Sequence, residues 1–282
     1  MFKKFTALLV SLATVFTAVS CEGKKSEEET VTSTVYPDFT VTFFDVGKAD
    51  SILLQTENST VIIDCGEKGD GKEIVSFLEE QNIDSVDCLI ITHYDKDHVG
   101  GSAKVINKLD VKRVLAPDYE EESDEVEKYR KALDSKGITP ELLTQDTEFE
   151  LDGVSYTVYA PQKTFYGEDN DNDFSLVTKA VYHDTSIIFA GDAMEQRLEE
   201  VMDIGTCTLL KVPYHARELD NLGEFLDNTK PKCAVSCTSA EEFDKSTQKA
   251  LYERGIKSYS TCENGRITAV SNGNQIEIST EK

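Results

Sequence analysis

The apolar positions between Thr40 and Leu115 change period several times. Thr40-Val41-Thr42-Phe43-Phe44 alternates, as a strand with one face on a core does, and the β-rich pattern runs over Phe39–Val46. Ser51–Gln55 and Thr60-Val61-Ile62-Ile63-Asp64 are short runs bounded by polar turns, which predicts a meander of three strands. Lys72–Gln81 then sets Ile74, Val75, Phe77 and Leu78 on one side of a helix. Val86–Ile91 has little polar interruption and reads as a strand covered on both faces. A helix over Ser102–Leu109 and a strand over Val111–Leu115 follow. Strand, helix, strand, helix, strand is the order of an α/β fold.

Tyr119–Lys136 reads as a solvated helix with Glu120, Glu121, Glu122, Asp124, Glu125 and Glu127 before Lys128, Arg130 and Lys131, the polarity a helix dipole favours. Asp152-Gly153 marks a hairpin between Glu148–Leu151 and Val154–Ala160. A second hairpin joins Leu176–Tyr182 to Thr185–Phe189 through His183-Asp184, where His183 reads as a turn residue. Beyond it the pattern predicts helices at Met194–Met202, Leu222–Leu226 and Asp244–Arg254. Strands are predicted at Thr208–His215, with the His at its end, and at Cys233–Cys237, Ser258–Ser260, Arg266–Val270 and Gln275–Ile278.

The N-terminus departs from this pattern. Lys3 and Lys4 precede an apolar stretch, Phe5–Val19, that is too short for a comfortable membrane span and reads as a leader over residues 1–20. It ends Ala18-Val19-Ser20-Cys21, which resembles a bacterial lipobox. That resemblance implies cleavage before Cys21, lipidation of its thiol, and a chain anchored to the cytoplasmic membrane and facing outward; an ordinary signal peptide is the alternative. Residues 21–37 are polar, without apolar periodicity, and read as a disordered tether to a folded domain over 38–282.

The 282-residue chain carries 29 Lys+Arg against 53 Asp+Glu, a formal charge of −24. Loss of Lys3 and Lys4 with the leader would make it −26. Such charge keeps a protein soluble and opposes tight nonspecific binding to DNA, which needs Lys and Arg on phosphates. Besides Cys21 there are Cys65, Cys88, Cys207, Cys233, Cys237 and Cys262, none in Cys-x-x-Cys spacing. Disulfides are permitted outside the cytosol, but Cys88, Cys207 and Cys233 lie in apolar runs, where thiols behave as small hydrophobes, so buried thiols are expected for most.

The chemistry concentrates after the buried strand, in Thr92-His93-Tyr94-Asp95-Lys96-Asp97-His98-Val99-Gly100-Gly101. Imidazole and carboxylate together suit a borderline divalent ion, Zn²⁺ with Mn²⁺ or Fe²⁺ as alternatives. His93, Asp95, Asp97 and His98 lie within six residues, more ligands than one four-coordinate ion takes from a single loop, which points to two adjacent ions. A helix cap would need only one such residue. Gly100-Gly101 lets the backbone pass close beneath the site.

This loop resembles the His-x-His-x-Asp-His signature of the metallo-β-lactamase superfamily, with Asp95 where the second His usually stands. That variant, with its Gly-Gly, is most similar to ComEC-like hydrolase domains of competence DNA uptake. Asp45-Val46-Gly47-Lys48-Ala49-Asp50 resembles their Asp-Val-Gly-x-Gly-Asp, with Ala49 for the second Gly, and Asn172-Asp173-Phe174-Ser175-Leu176-Val177 their Asn-x-x-Ser-Leu-Val. Gly191-Asp192 resembles the Gly-Asp whose carboxylate bridges two metals. Leu210-Lys211-Val212-Pro213-Tyr214-His215 resembles Leu-Lys-Val-x-His-His, with Tyr214 for the first His. The third metal-binding His of many members is missing near 172–177, and no Gly-His-Pro follows Cys237, where Ser239–Asp244 stands instead.

The resemblance implies a four-layer αββα sandwich. It also implies two divalent ions, Zn or Mn. His93, Asp95 and Asp192 would hold one; Asp97, His98, Asp192 and His215 the other. Asp97 would orient a water, Lys211 and Tyr214 would stabilise charge on substrate oxygens, and Asn172 or Ser175 would face substrate. Asp64 is expected to orient a ligand from behind; Asp45 is placed with it, against the simpler reading as turn chemistry, to which Asp50 is equally open. The implied activity is metal-dependent hydrolysis, of a phosphodiester by the ComEC likeness, with a small phosphoester or an envelope polymer left open by the charge. A binding lipoprotein with a degenerate metal site is the alternative, and a β-lactamase a third reading.

Overall fold

The alternating strands turn their apolar faces toward one another across two sheets. In the computed structural model, which describes residues 38–168 and 170–282, the first sheet has eight strands. From edge to edge they are Ile276–Thr280, Ile267–Ser271, Phe39–Phe43, Ser51–Gln55, Thr60–Cys65, Cys88–Ile90, Val114–Pro117 and Glu141–Leu143. The second has seven: Lys257–Ser260, Cys233–Ser236, Leu209–Lys211, Thr185–Phe189, Val177–Tyr182, Val154–Tyr159 and Thr147–Leu151. Residues 1–37, which include the expected leader, Cys21 and tether, lie outside the described residues. The described ones belong to the compact unit Val35–Lys282.

Each sheet is half hairpin and half crossover. The meander Phe39–Phe43, Ser51–Gln55, Thr60–Cys65 is antiparallel; from Thr60–Cys65 through Cys88–Ile90 and Val114–Pro117 to Glu141–Leu143 the pairing is parallel. In the second sheet the strands from Thr185–Phe189 to Lys257–Ser260 are parallel. Parallel neighbours need crossovers, and these are the predicted helices. Gly71–Glu80, Ser102–Lys108 and Asp124–Lys136 cover the outer face of the first sheet, with Leu53, Ile62, Leu89 and Ile91 packed beneath them. Leu222–Thr229 and Lys245–Glu253 cover the second over Ile188, Leu210 and Ala234. The core between the sheets draws on both, for example Phe43 and Phe189, whose ring centroids lie 6.2 Å apart. Each such buried ring contributes roughly 1.5–3 kcal/mol. The result is the expected αββα sandwich.

Three local readings shift. The run Val86–Ile91 divides at Asp87. Ser85–Val86 leaves to pair with Asp110–Val111, while Asp87 accepts from Thr60 N (2.8 Å) and Lys112 Nζ (2.8 Å). The charged helix begins at Asp124 rather than Tyr119, because Ser123 caps it, its hydroxyl accepting from Val126 N. Glu141–Leu143 is an edge strand without a periodic signal of its own; Glu141 meets Arg113 of the neighbouring chain path with two hydrogen bonds. The six cysteines among the described residues are unpaired thiols, five of them buried.

Candidate metal centre

The site gathers at strand ends between the sheets. Thr60–Cys65 brings Asp64, in the left-handed region at φ 57°, under the loop that leaves Cys88–Ile90. Thr92 donates to Asp64 through its backbone N (2.8 Å) and its hydroxyl (2.6 Å). The other Asp64 partner is His98 Nδ1 at 2.8 Å, so the carboxylate accepts Nδ1–H and leaves Nε2 aimed into the site. Asp64 thus orients a ligand from behind. The metal loop turns at once into a short helix, Lys96–Val99, which places Asp97 and His98 on the buried side. It passes so close to the chain beneath that a Cβ at Gly101 would fall on the carbonyl oxygen of Cys65 and 2.7 Å from Gly71 N.

The second sheet supplies the facing half. Asp192 follows Gly191, itself at φ 54°. His215 sits in the turn Tyr214–Ala216, whose three residues all have positive φ (51°, 48° and 62°). Non-glycine residues held there cost about 1–3 kcal/mol each, strain that clusters at functional sites. His215 Nδ1 donates to the Cys237 carbonyl (3.0 Å) and directs Nε2 to Asp192 Oδ2 (3.0 Å) and Asp97 Oδ2 (3.5 Å). His98 Nε2 is 3.3 Å from His215 Nε2 and 3.5 Å from Asp192 Oδ1. The rings of His93 and His98 have centroids 4.0 Å apart and are tilted by 49°.

Among the described residues three groups that share His98 have ligand atoms within 4.8 Å of one another: His93, His98 and Asp192; Asp97, His98 and His215; and, behind the site, Asp50, Asp64 and His98. All are buried. His93 Nε2 and Asp192 Oδ1 are buried without a hydrogen bond, and unpaired buried polar atoms call for a partner. This donor set of neutral nitrogens and carboxylate oxygens fits a divalent ion. With no ion, the charges compensate one another. Burial opposes the imidazolium of His215, but Asp192, Asp97 and Asp50 outweigh it and push the pKa up to about 9. Burial likewise opposes a charged His98, which Asp192 and Asp64 hold well above the usual range. Asp192 is held well below the carboxylate range, against the cost of burial, by His215 and His98.

The predicted residues do not all meet. Asp95 stays half outside, its side chain 44% exposed and its Oδ2 3.7 Å from His93 Nε2. The Lys211 ammonium is fully buried, with Asp50, the Gly191 carbonyl (3.0 Å) and Asp192 Oδ1 (3.6 Å) around it, so no face remains for a substrate. Ser175 is buried too: its hydroxyl accepts from Asp192 N (3.1 Å) and lies 3.5 Å from His93 Nδ1, which makes it a support of the ligands rather than a substrate contact. Asn172 keeps a buried Oδ1 without a partner. The Tyr214 hydroxyl accepts from Arg217 (3.2 Å), whose guanidinium lies over the ring. Asp45 turns to Lys282 at 3.0 Å. The position behind the site expected of it is held by Asp50, buried beside Lys211 and 3.7 Å from His215 Nδ1.

Two further residues carried no sequence signal. Arg197 is buried and donates to the carbonyls of Ser175 (2.9 Å) and Tyr159 (2.7 Å), tying the Asp171–Phe174 turn to the second sheet. Lys48 reaches Asp97 Oδ2 at 3.2 Å from the turn before Asp50.

The family description of the metallo-β-lactamase superfamily matches residues 44–239, and the chain belongs to that superfamily, whose fold and clustered His and Asp ligands mark metal-dependent hydrolases. It is 26% identical over 253 residues to ComE operon protein 3 of Bacillus subtilis (strain 168), covering 80% of this chain and 32% of that protein. It is 23% identical over 240 residues to competence protein ComA of Neisseria gonorrhoeae, covering 80% and 31%. The chain therefore spans about a third of the length of these relatives. The metallo-β-lactamase fold protein YhfI of Bacillus subtilis shares its fold with a TM-score of 0.55 at 11% identity, over 79% of this chain and 96% of that one. CmlA, a diiron β-hydroxylase from Streptomyces venezuelae, does so with a TM-score of 0.55 at 14% identity, over 83% and 54%.

Proposed function

We propose that this chain is a phosphodiesterase that uses one or two divalent ions, Zn or Mn, held by His93, His98, His215, Asp97 and Asp192. The observation that carries the reading is the buried convergence of these side chains with His93 Nε2 and Asp192 Oδ1 left without a hydrogen bond. Such ions, when bound, act as Lewis acids and lower the pKa of water. Asp64 and the Cys237 carbonyl hold the rings of His98 and His215 so that each offers Nε2. Asp97, with one oxygen toward His215 and Lys48, is placed to accept a proton from an attacking water. Lys211 balances Asp50 and Asp192 and keeps the latter in place without touching substrate. The likeness to competence proteins supports a phosphodiester; the charge of −24 supports a short or small one over a long DNA footprint. The lipobox-like Ala18-Val19-Ser20-Cys21 supports action outside the cell from a lipid anchor at Cys21, on such a phosphodiester or an envelope polymer.

The test is metal analysis of protein truncated before Cys21, beside hydrolysis of bis-p-nitrophenyl phosphate with added Mn²⁺ or Zn²⁺. Bound ions with turnover that His215→Ala abolishes support the reading. Turnover intact in His215→Ala refutes the site. The exposure of Asp95 favours a second reading, in which the His93 side holds its ion weakly and the protein binds without hydrolysing. Protein that retains no metal and has no turnover under any of these conditions would refute the phosphodiesterase reading and favour a binding or scaffold role.

A further inference from the structure

Among the described residues three cations stand by the ligands. Lys211 is enclosed and held by Asp50. Arg217 is held by Glu242 through two hydrogen bonds (2.6 and 3.0 Å) and by the Tyr214 hydroxyl. Lys48 differs from both. Its side chain is 36% exposed, and its ion pair is with Asp97, a candidate metal ligand. Its place is nonetheless well defined. The turn Asp45–Asp50 is stitched to the metal loop by Asp50 N donating to the Asp97 carbonyl (3.2 Å), and to the Asp64 strand by Gly66 N donating to the Asp50 carbonyl (2.7 Å). Lys48 therefore stands at a set position on the solvent side of Asp97.

Charge compensation gives that position a consequence. An ion held by Asp97 supplies the positive charge that Lys48 supplies in its absence. The ammonium is then left beside the ions, open to solvent, and its other anionic neighbour, Glu242, is already paired with Arg217. A ligand with its own negative charge completes the arrangement. We propose that Lys48 is a substrate-binding residue, which grips a non-bridging oxygen of an anionic phosphoester and selects anionic over neutral substrates. This rests on the phosphodiesterase reading above.

The experiment measures inorganic phosphate binding to the metal-loaded protein by calorimetry, with metal content measured in parallel, for wild type, Lys48→Gln, Lys48→Glu and Lys48→Arg. A charge-assisted hydrogen bond corresponds to about a 10-fold effect. Lys48→Gln is expected to weaken phosphate binding about 10-fold, Lys48→Glu further, and Lys48→Arg to retain most of it. Metal content is expected to hold or rise, since a competitor for Asp97 is gone. Loss of metal in Lys48→Gln would make Lys48 a structural support of Asp97 and overturn the proposal. So would unchanged phosphate binding in that variant. If the wild type binds metal but neither binds phosphate nor turns over bis-p-nitrophenyl phosphate, the phosphodiesterase reading itself fails and takes this one with it.

Discussion

Replacing Lys211 with Met separates the two roles its position permits. The ammonium is fully buried among Asp50, Asp192 and the Gly191 carbonyl. Its pKa is raised: burial alone would lower it, and Asp50 and Asp192 more than reverse that. Met fills similar volume but leaves two buried carboxylates with less compensation, and Asp50 already has one oxygen without a hydrogen bond. Removing one partner of a buried ion pair costs about 3–5 kcal/mol. That loss is expected in chelated protein, read as a lower urea midpoint at unchanged slope. Metal-loaded protein should lose less, because ions beside Asp192 replace part of the missing charge. Adding Asp50→Asn should return about 1–3 kcal/mol, since the pair interacts directly. A shift under about 0.5 kcal/mol in chelated Lys211→Met would refute the argument. Unchanged stability and metal content with reduced turnover would instead restore Lys211 to a substrate oxygen.

The site also makes metal-free stability depend on pH. The His215 pKa stands at about 9 in the fold, above about 6.5 in an unfolded chain, so its contribution is complete below 6.5 and is lost as pH rises through 9. Chelated protein should be about 3 kcal/mol less stable at pH 10 than at pH 6 on this account, and urea midpoints that climb over that range would contradict it. Asp64→Asn removes the carboxylate that holds His98 Nδ1–H and should weaken metal binding about 10- to 100-fold in chelator competition; unchanged affinity would show that His98 needs no such support. Gly101→Ala drives a Cβ into the backbone of Cys65 and Gly71 and should cost about 3 kcal/mol of stability, against a melting temperature unchanged if the close approach relaxes freely.

Much of this protein was legible in the chain because its signals are local. Strand alternation over Thr40–Phe44 and the helix over Lys72–Gln81 arise from the period of neighbouring side chains, and both elements form. His93, Asp97 and His98 come together for the same reason: one short helix at the end of one buried strand carries two of them, with the third three residues before it. What the sequence left open is which charge meets which. Lys211 and Tyr214 followed a ligand-like motif and were read as facing substrate, while sheet pairing enclosed the first and Arg217 engaged the second. Asp45 and Asp50 are alike as turn carboxylates, yet only Asp50 is carried inward to Lys211. The ring of His215 meets that of His98 across 117 residues of chain, and Ser175 reaches His93 across 82. Residue type and spacing determine the elements and the chemistry available at their ends. Burial sets the interaction of charges, and burial exists only once the two sheets have closed on each other.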